Sequence, residues 1–342
     1  MGIAAPTVNG GAKGRLAAPA AGLGGGMMNR AFHQPVLRQE VLEHLAIGPE
    51  GLWVDATVGE GGHALAILEA SAGGRVLGID RDPRGLAQAA QRLRSYGDRF
   101  IPVQGSYAQM VELAKAQGIA QADGVLLDLG ISSRQVDTPG YGLSFQRDEP
   151  LDMRFDPAGQ TATAAHIVNT YGEDELRQLL FQYGEEPQAR AIARALVRRR
   201  PIYTTGELAK LVAAVTGPRR GRRIHPATRT FQALRLAVNE ELAHLEAGLK
   251  AAIGLLAPGG RLVVISYHSL EDRLVKTTLA REAARCVCPP GLPVCVCGHQ
   301  PTLRLVSRRA IRPTAEEVRD NPRSRSARLR AAQRLAGPNG PQ

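Results

Sequence analysis

The residues Val54-Asp55-Ala56-Thr57-Val58-Gly59-Glu60-Gly61-Gly62-His63 read as a short apolar strand, a tight glycine turn and the start of a helix. Glycine has no Cβ and tolerates positive φ, so such a turn lets the backbone pass close to a ligand. A second apolar run, Val76-Leu77-Gly78-Ile79, ends in Asp80. A carboxylate at the C-terminal end of a strand, beside a glycine turn, can accept both hydroxyls of a ribose. Together the two strand ends suit a nucleoside cofactor. A further apolar strand ends in Asp128-Leu129-Gly130, putting another carboxylate where a cofactor and an acceptor would meet.

A glycine turn followed by an acid serves nicotinamide enzymes and S-adenosylmethionine enzymes alike. Here the turn is G-x-G-G, with Asp55 inside the strand before it, rather than G-x-G-x-x-G. Pro258-Gly259-Gly260 also stands directly before an apolar strand. These features favour a methyltransferase and leave a nicotinamide oxidoreductase as the rival.

The elements that must position these residues alternate from residue 51 to 129. Strands are expected over Leu52–Val58, Arg75–Asp80, Phe100–Val103 and Gly124–Leu129, and helices over Gly61–Ala70, Pro83–Tyr96 and Tyr107–Gln117. Alternation with continuously apolar strands implies a parallel sheet covered on both faces. The alternation then stops. Residues 138–225 carry helical stretches over Glu173–Tyr183, Pro187–Arg200 and Thr204–Val215, the last opened by the capping-box pattern Thr204-Thr205-Gly206-Glu207. A long helix over Ala227–Leu256, a strand over Arg261–Ser266 and a helix starting at Ser269 resume the sheet, with Leu303–Ser307 as a final antiparallel edge strand. The expected organisation is a disordered segment at 1–30, a core at 31–137, a helical insertion at 138–225, and a second core part at 226–336 with a Cys-rich loop and a basic tail. Residues 1–30 are Gly/Ala-rich and free of acids, and Met27 or Met28 is a candidate start.

The 342 residues carry a formal charge of +11, which points to a polyanion such as nucleic acid. The charge is clustered. Residues 185–235 hold twelve Lys/Arg against three acids, including Arg198-Arg199-Arg200 and Arg219-Arg220-Gly221-Arg222-Arg223, and residues 301–342 hold ten Arg against three acids. Such clusters grip phosphates when they share a face. No apolar run is long enough to span a membrane and no signal-peptide pattern is present, so a cytoplasmic location is expected. All four cysteines fall in Cys286-Val287-Cys288 and Cys295-Val296-Cys297. Clustered pairs suit thiolate zinc, but the spacing is C-x-C rather than C-x-x-C and nothing else demands a metal. A reduced or disulfide-linked structural loop is the favoured expectation, with no metal assigned and a zinc site left open as the alternative.

Five strings carry a family resemblance: His33-Gln34-Pro35-Val36-Leu37, Asp123 to Ser133, Leu151-Asp152-Met153-Arg154-Phe155, Arg229 to Arg235, and Ile265 to Arg273. Together, over roughly residues 30–335, the chain resembles the ribosomal RNA small subunit methyltransferase H family. The resemblance implies a class I S-adenosylmethionine-dependent methyltransferase, a Rossmann-like doubly wound α/β sheet with an inserted all-helical substrate-recognition domain. It implies N4-methylation of a cytidine in the decoding centre of small-subunit (16S) ribosomal RNA, with S-adenosyl-L-methionine as cofactor and the rRNA or 30S subunit as partner. No protein partner is deducible. Carried over residue by residue, Gly61, Gly62 and His63 match the family's glycine turn, Asp80 its ribose carboxylate and Tyr107 its aromatic near the adenine. Asp128 and Gln135 match positions around the methionine end and the adjoining loop.

An exocyclic cytosine amine is a poor nucleophile, because its lone pair is delocalised into the ring. An acceptor beside it can bond one N–H and help remove the proton. The D/N/S-P-P-Y/F/W motif common in cytosine N4-methyltransferases is replaced here by Asp128-Leu129-Gly130-Ile131-Ser132-Ser133. Asp128 and His268, both just past strand ends, are the candidate catalytic residues. Action on another RNA, or a non-catalytic role in ribosome assembly, stays open at this point.

Overall fold

The computed structural model describes residues 34–160, 162–217, 225–289 and 294–336. The segment expected to be disordered, residues 1–30, and the Arg219–Arg223 run lie outside the described residues. In chain order the first elements are α1 (Arg38–Leu45), β1 (Leu52–Asp55), α2 (Gly62–Ala70), β2 (Arg75–Asp80), α3 (Pro83–Arg92), β3 (Phe100–Gln104), α4 (Met110–Ala116), β4 (Ala122–Asp128) and α5 (Ser133–Asp137). A helical stretch follows: α6 (Ala164–Thr170), α7 (Glu173–Gly184), α8 (Ala189–Arg199), α9 (Thr205–Thr216) and α10 (Thr228–Val238). The chain ends with α11 (Glu241–Leu255), β5 (Leu256–Ser266), α12 (Ser269–Glu282), β6 (Leu303–Leu305), α13 (Ala315–Asp320) and β7 (Arg328–Arg334).

The strands form one seven-stranded sheet in the order β3-β2-β1-β4-β5-β7-β6. β1 to β5 are parallel, and β7 runs antiparallel to both β5 and β6. This is the doubly wound sheet with a helical insertion that the alternation implies. Strands buried on both faces must be apolar at every position, and β4 shows why its sequence is Val125-Leu126-Leu127. Val125 and Leu127 join the core under α4, α11 and α12, while Leu126 joins the opposite core under α1, α2 and α3. The order reverses between β1 and β4, so their C-terminal ends diverge into a crevice, the place where open sheets of this kind bind ligands.

Three local expectations are corrected. The helix expected over Ala227–Leu256 is two, α10 and α11, broken at Asn239-Glu240, where Glu240 has φ 50°. No glycine or proline marks that break. Buried Asn239 makes it: its Oδ1 accepts from the Phe155 amide at 3.0 Å and its Nδ2 donates to the Met153 carbonyl at 2.8 Å. Its own carbonyl accepts from Arg81 at 2.9 Å. Second, β6 is indeed an antiparallel edge strand, but it pairs with β7, which the sequence reads as a basic tail. Leu329 and Ala331 face the apolar core, while Arg328 and Arg330 both bond Asp272 of α12, at 2.8 and 2.7 Å. Third, the helices expected to begin at Pro83 and Tyr107 are shorter. The first gives way to a 3-10 turn over Arg94–Arg99, and Tyr107–Gln109 is itself a 3-10 turn.

The helical stretch has its own core, in which Leu176, Leu180, Ile192, Leu196, Leu208 and Val212 pack with Phe231, Ala233 and Leu234 of α10. That core therefore draws on residues beyond 225. Asn239 ties this core to the end of β2 through Arg81 and to the segment Leu151–Phe155 through Met153 and Phe155, and Met153 holds φ 68° at full burial. Removing Asn239 strands the Met153 carbonyl and the Phe155 amide. A buried group left without a partner costs about 1–3 kcal/mol. Asn239→Ala is expected to lower stability by at least about 2 kcal/mol in urea denaturation, and a loss below about 0.5 kcal/mol would deny it this role.

Candidate active site

The crevice is built by lacing three strand ends together. The Ala56 amide donates to the Leu126 carbonyl at 2.9 Å, and the Val58 amide to the Ile79 carbonyl at 3.0 Å. The Asp128 amide donates to Thr57 Oγ1 at 2.7 Å. The turn then reverses through Gly59 (φ 49°) and Gly61 (φ 79°). A side chain at Gly61 would be strained by φ and would press on Leu93 and Ala89, at 3.1 and 3.3 Å from its Cβ. Gly61 thus lies beneath the crevice wall, while Gly62 and His63 line it.

Asp80 at the end of β2 accepts the Gly59 amide on Oδ2 at 2.7 Å and the Asp82 amide on Oδ1 at 2.8 Å. Burial pushes its carboxyl up to about 6, against the pull of those two amides. Asp55 is buried below the turn, where its Oδ1 receives the Thr57 amide at 3.3 Å and its Oδ2 has no hydrogen-bond partner among the described residues. Burial pushes this carboxyl up to about 7, although the field of His63 pulls it down.

The crevice encloses about 440 Å³. Asp80, Tyr107, Asp128, Gln135 and His268 line it together with Gly62 and His63. Asp128 is held at Oδ1, where the Tyr267 hydroxyl donates at 2.8 Å, while His63 Nε2 stands 3.5 Å from Oδ2 without a hydrogen bond. Burial and the Asp128 charge push the Tyr267 phenol well above its ordinary range. Neither ring nitrogen of His63 has a hydrogen-bond partner among the described residues, although both are buried. Tyr107 rests on Gly248 of α11, which leaves room for its ring.

Gln135 is held at both ends of its amide. Its Oε1 accepts the Ser132 amide at 3.0 Å, closing a capping box for α5, and its Nε2 donates to Asp82 Oδ2 at 3.1 Å. The Tyr141 hydroxyl donates to the same Asp82 oxygen at 2.7 Å. His268 is the N-cap of α12: its Nδ1 accepts the Glu271 amide at 3.3 Å, and its Nε2 lies 3.1 Å from Glu271 Oε1 in poor alignment. Behind it, Arg235 and Glu241 form a buried bidentate pair at 2.7 and 3.0 Å.

The sequence reading assigns nothing to Tyr267 or Asp82. Tyr267 adjoins His268 just past the end of β5, so the same strand-end rule that singles out Asp128 would have found it. Asp82 stands before Pro83, the signature of a helix N-cap, and caps α3 through the Arg84 amide at 2.9 Å. Asp152 and Arg154 bond each other at 2.8 Å through both carboxylate oxygens and so shape the loop from within. Away from the crevice, Arg198, Arg199 and Lys210 line a groove of about 720 Å³ between α8 and α9. None of the four cysteines lines either cavity.

The residues present fit S-adenosylmethionine on three observations. Carboxylates at Asp80, Asp82 and Asp128 give the crevice an anionic side suited to a cationic ligand. Val58, Leu129 and Ile131 supply an apolar wall, and the orphaned nitrogens of His63 await a polar partner. Among the described residues no helix is long and apolar enough to cross a membrane.

The MraW methylase family profile matches residues 30–335. A protein of Thermomicrobium roseum named ribosomal RNA small subunit methyltransferase H is 56% identical over 308 residues, 89% of this chain and 94% of that one. Proteins of the same name from Dehalococcoides mccartyi and Geobacter sulfurreducens are 52% and 50% identical, over 90% and 89% of this chain and 87% and 99% of theirs.

The raised Asp55 carboxyl carries a pH signature. A carboxyl whose folded value lies above its unfolded one stabilises the fold below the ordinary carboxylate range, and that contribution is lost as pH rises through about 7. Asn at this position keeps the acceptor for Thr57 but never ionises. The melting temperature of Asp55→Asn relative to the parent is expected to climb as pH goes from 5 to 8. A difference that stays constant over that range would show that Asp55 does not titrate there.

Proposed function

The chain belongs to the MraW methylase family, and we propose that it transfers the methyl group of S-adenosylmethionine to the exocyclic N4 of a cytidine in the decoding centre of small-subunit (16S) rRNA. The observation that carries this reading is Asp128, a carboxylate fixed by Tyr267 and facing the crevice at the switch point between β1 and β4. Gly62 and His63 would face the cofactor, with Gly61 giving the turn its close approach from beneath; Asp80 would hold its ribose and Tyr107 its adenine. Asp128 and the Gln135 loop would border the methionine end. When bound, S-adenosylmethionine supplies an electrophilic methyl on a sulfonium.

Asp128 then accepts one N–H of the cytosine amine, which draws the nitrogen lone pair out of the ring and aims it at the methyl. The same carboxylate would receive the proton that N4 sheds on taking the methyl, whose bond to sulfur breaks to leave a neutral thioether. Tyr267 keeps Asp128 from rotating away, so positioning does most of the catalysis. His268 is already engaged by Glu271 and serves as the wall beside the amine. A cytidine in folded rRNA must leave its stack to reach Asp128, and this requires a grip on the flanking backbone. The α8–α9 groove with Arg198, Arg199 and Lys210 supplies that grip. The reaction takes place where small subunits are assembled, in the cytoplasm.

Mass mapping of methylated cytidines in rRNA from cells with and without the gene tests the function. N4-methylation of one small-subunit cytidine, lost with the gene, is expected. Loss of a methyl from another RNA, or small-subunit binding without methyl incorporation from labelled cofactor, would overturn the proposal. Because the anion of Asp80 is the form that accepts ribose hydroxyls, S-adenosylhomocysteine should bind about tenfold more weakly at pH 5 than at pH 7 by calorimetry. Binding that is flat with pH would contradict this use of Asp80. His268→Ala is expected to raise KM for the subunit and leave the single-turnover rate within about tenfold. A fall of roughly 10²–10⁴ would move the general base from Asp128 to His268.

A further inference from the structure

The excursion between α12 and β6 leaves and returns at one point: the Thr302 amide donates to the Glu282 carbonyl at 2.8 Å. Its described residues have little to hold them by burial, since Val294 and Val296 are 70% and 78% exposed. Long loops without secondary structure need some other tie. At its middle the four cysteine sulfurs converge. Cys295 Sγ lies 3.4 Å from that of Cys286, 3.5 Å from that of Cys297 and 3.9 Å from that of Cys288. Cys286 and Cys297 are 3.8 Å apart, and all four sulfurs lie within 4.8 Å of one another. A tetrahedron of sulfurs around zinc, with Zn–S bonds of about 2.3 Å, has edges of about 3.8 Å. Cys295 faces all three other sulfurs at similar range, as a vertex of such a tetrahedron does. A disulfide would single out one partner, and no pair stands near the bonding distance of about 2.05 Å.

The backbone is arranged for charged sulfur. The Val287 amide donates to Cys297 Sγ and the Val296 amide to Cys288 Sγ, both at 3.4 Å. Each C-x-C arm thus turns its middle N–H onto the last sulfur of the other arm, an approximate twofold relation that explains the C-x-C spacing. The Cys288 amide adds a third such bond, to Cys286 Sγ at 3.4 Å. N–H donors aimed at sulfur stabilise thiolates, the form that binds metal.

We propose that Cys286, Cys288, Cys295 and Cys297 form a structural tetrathiolate site for Zn²⁺ that closes the loop between α12 and β6. Four thiolates leave no open position, so the ion would be closed to solvent ligands and would take no part in methyl transfer. Of the alternatives left open by the sequence, this geometry selects the zinc-stapled loop.

The test is elemental analysis of the full-length protein purified under reducing conditions without chelator. One zinc per chain is expected, released in step with titration of four thiols by a mercurial reagent. The double variant Cys288→Ser/Cys297→Ser should lose the zinc and be cut by protease within residues 283–302. Should that variant fail to fold, replacement of zinc by Co²⁺ in the unsubstituted protein decides, through the intense sulfur-to-cobalt absorption of a tetrahedral thiolate site. Zinc-free protein that takes up no added zinc, a mass deficit matching two disulfides, iron in place of zinc, or an octahedral cobalt spectrum would overturn the proposal.

Discussion

The hydrogen bond from the Asp128 amide to Thr57 Oγ1, with the two amide–carbonyl bonds that run beside it, forces the ends of β1, β2 and β4 to share one surface. Each of these strands ends in a carboxylate, and like charges at close range repel unless burial or partners suppress them. The fold meets this in three ways. Asp55 is sealed below the turn and Asp80 is clasped by two amides, while Asp128 is held by a phenol. Burial raises both Asp55 and Asp80, so the glycine turn sits above groups that resist full ionisation. A cationic ligand in the crevice would favour their charged forms, and binding and protonation are therefore coupled.

The second constraint lies where the helical core meets the sheet. Asn239 bonds Met153, Phe155 and Arg81 from a helix break, and Arg235 one turn earlier pairs with Glu241, the first residue of α11. Buried ion pairs are weak sources of stability but strong sources of registry, since either charge left alone is costly. Arg235 and Phe155 also line the crevice. Some of the residues that dock the helical core therefore also build the wall of the crevice.

What was legible in the sequence was local. An apolar run ending in Asp80 or Asp128, a glycine turn, and the T-x-x-E capping pattern at Thr204–Glu207 each announce themselves within a few residues. The structure brings Asp80, Tyr107, Asp128, Gln135 and His268 to one crevice. What could not be read was pairing across the chain. The Tyr267–Asp128 bond spans 139 positions. The break at Asn239 has no breaker residue, because its cause is a set of partners in another segment. β7 hides in an arginine-rich tail, since Arg328 and Arg330 find Asp272 only after folding. The C-x-C spacing gave little hint of four sulfurs at one focus, because it is the cross-strapping of two arms that brings them together.

Asp128 joins the two halves of this site, and the most direct measurement is the single-turnover rate of methyl transfer to small subunits by Asp128→Asn at saturating cofactor. S-adenosylhomocysteine affinity within a few-fold of the parent, with a transfer rate lower by roughly 10²–10⁴, is the expected result. Transfer at close to the parent rate would contradict it and leave Asp128 a cofactor-side residue alone.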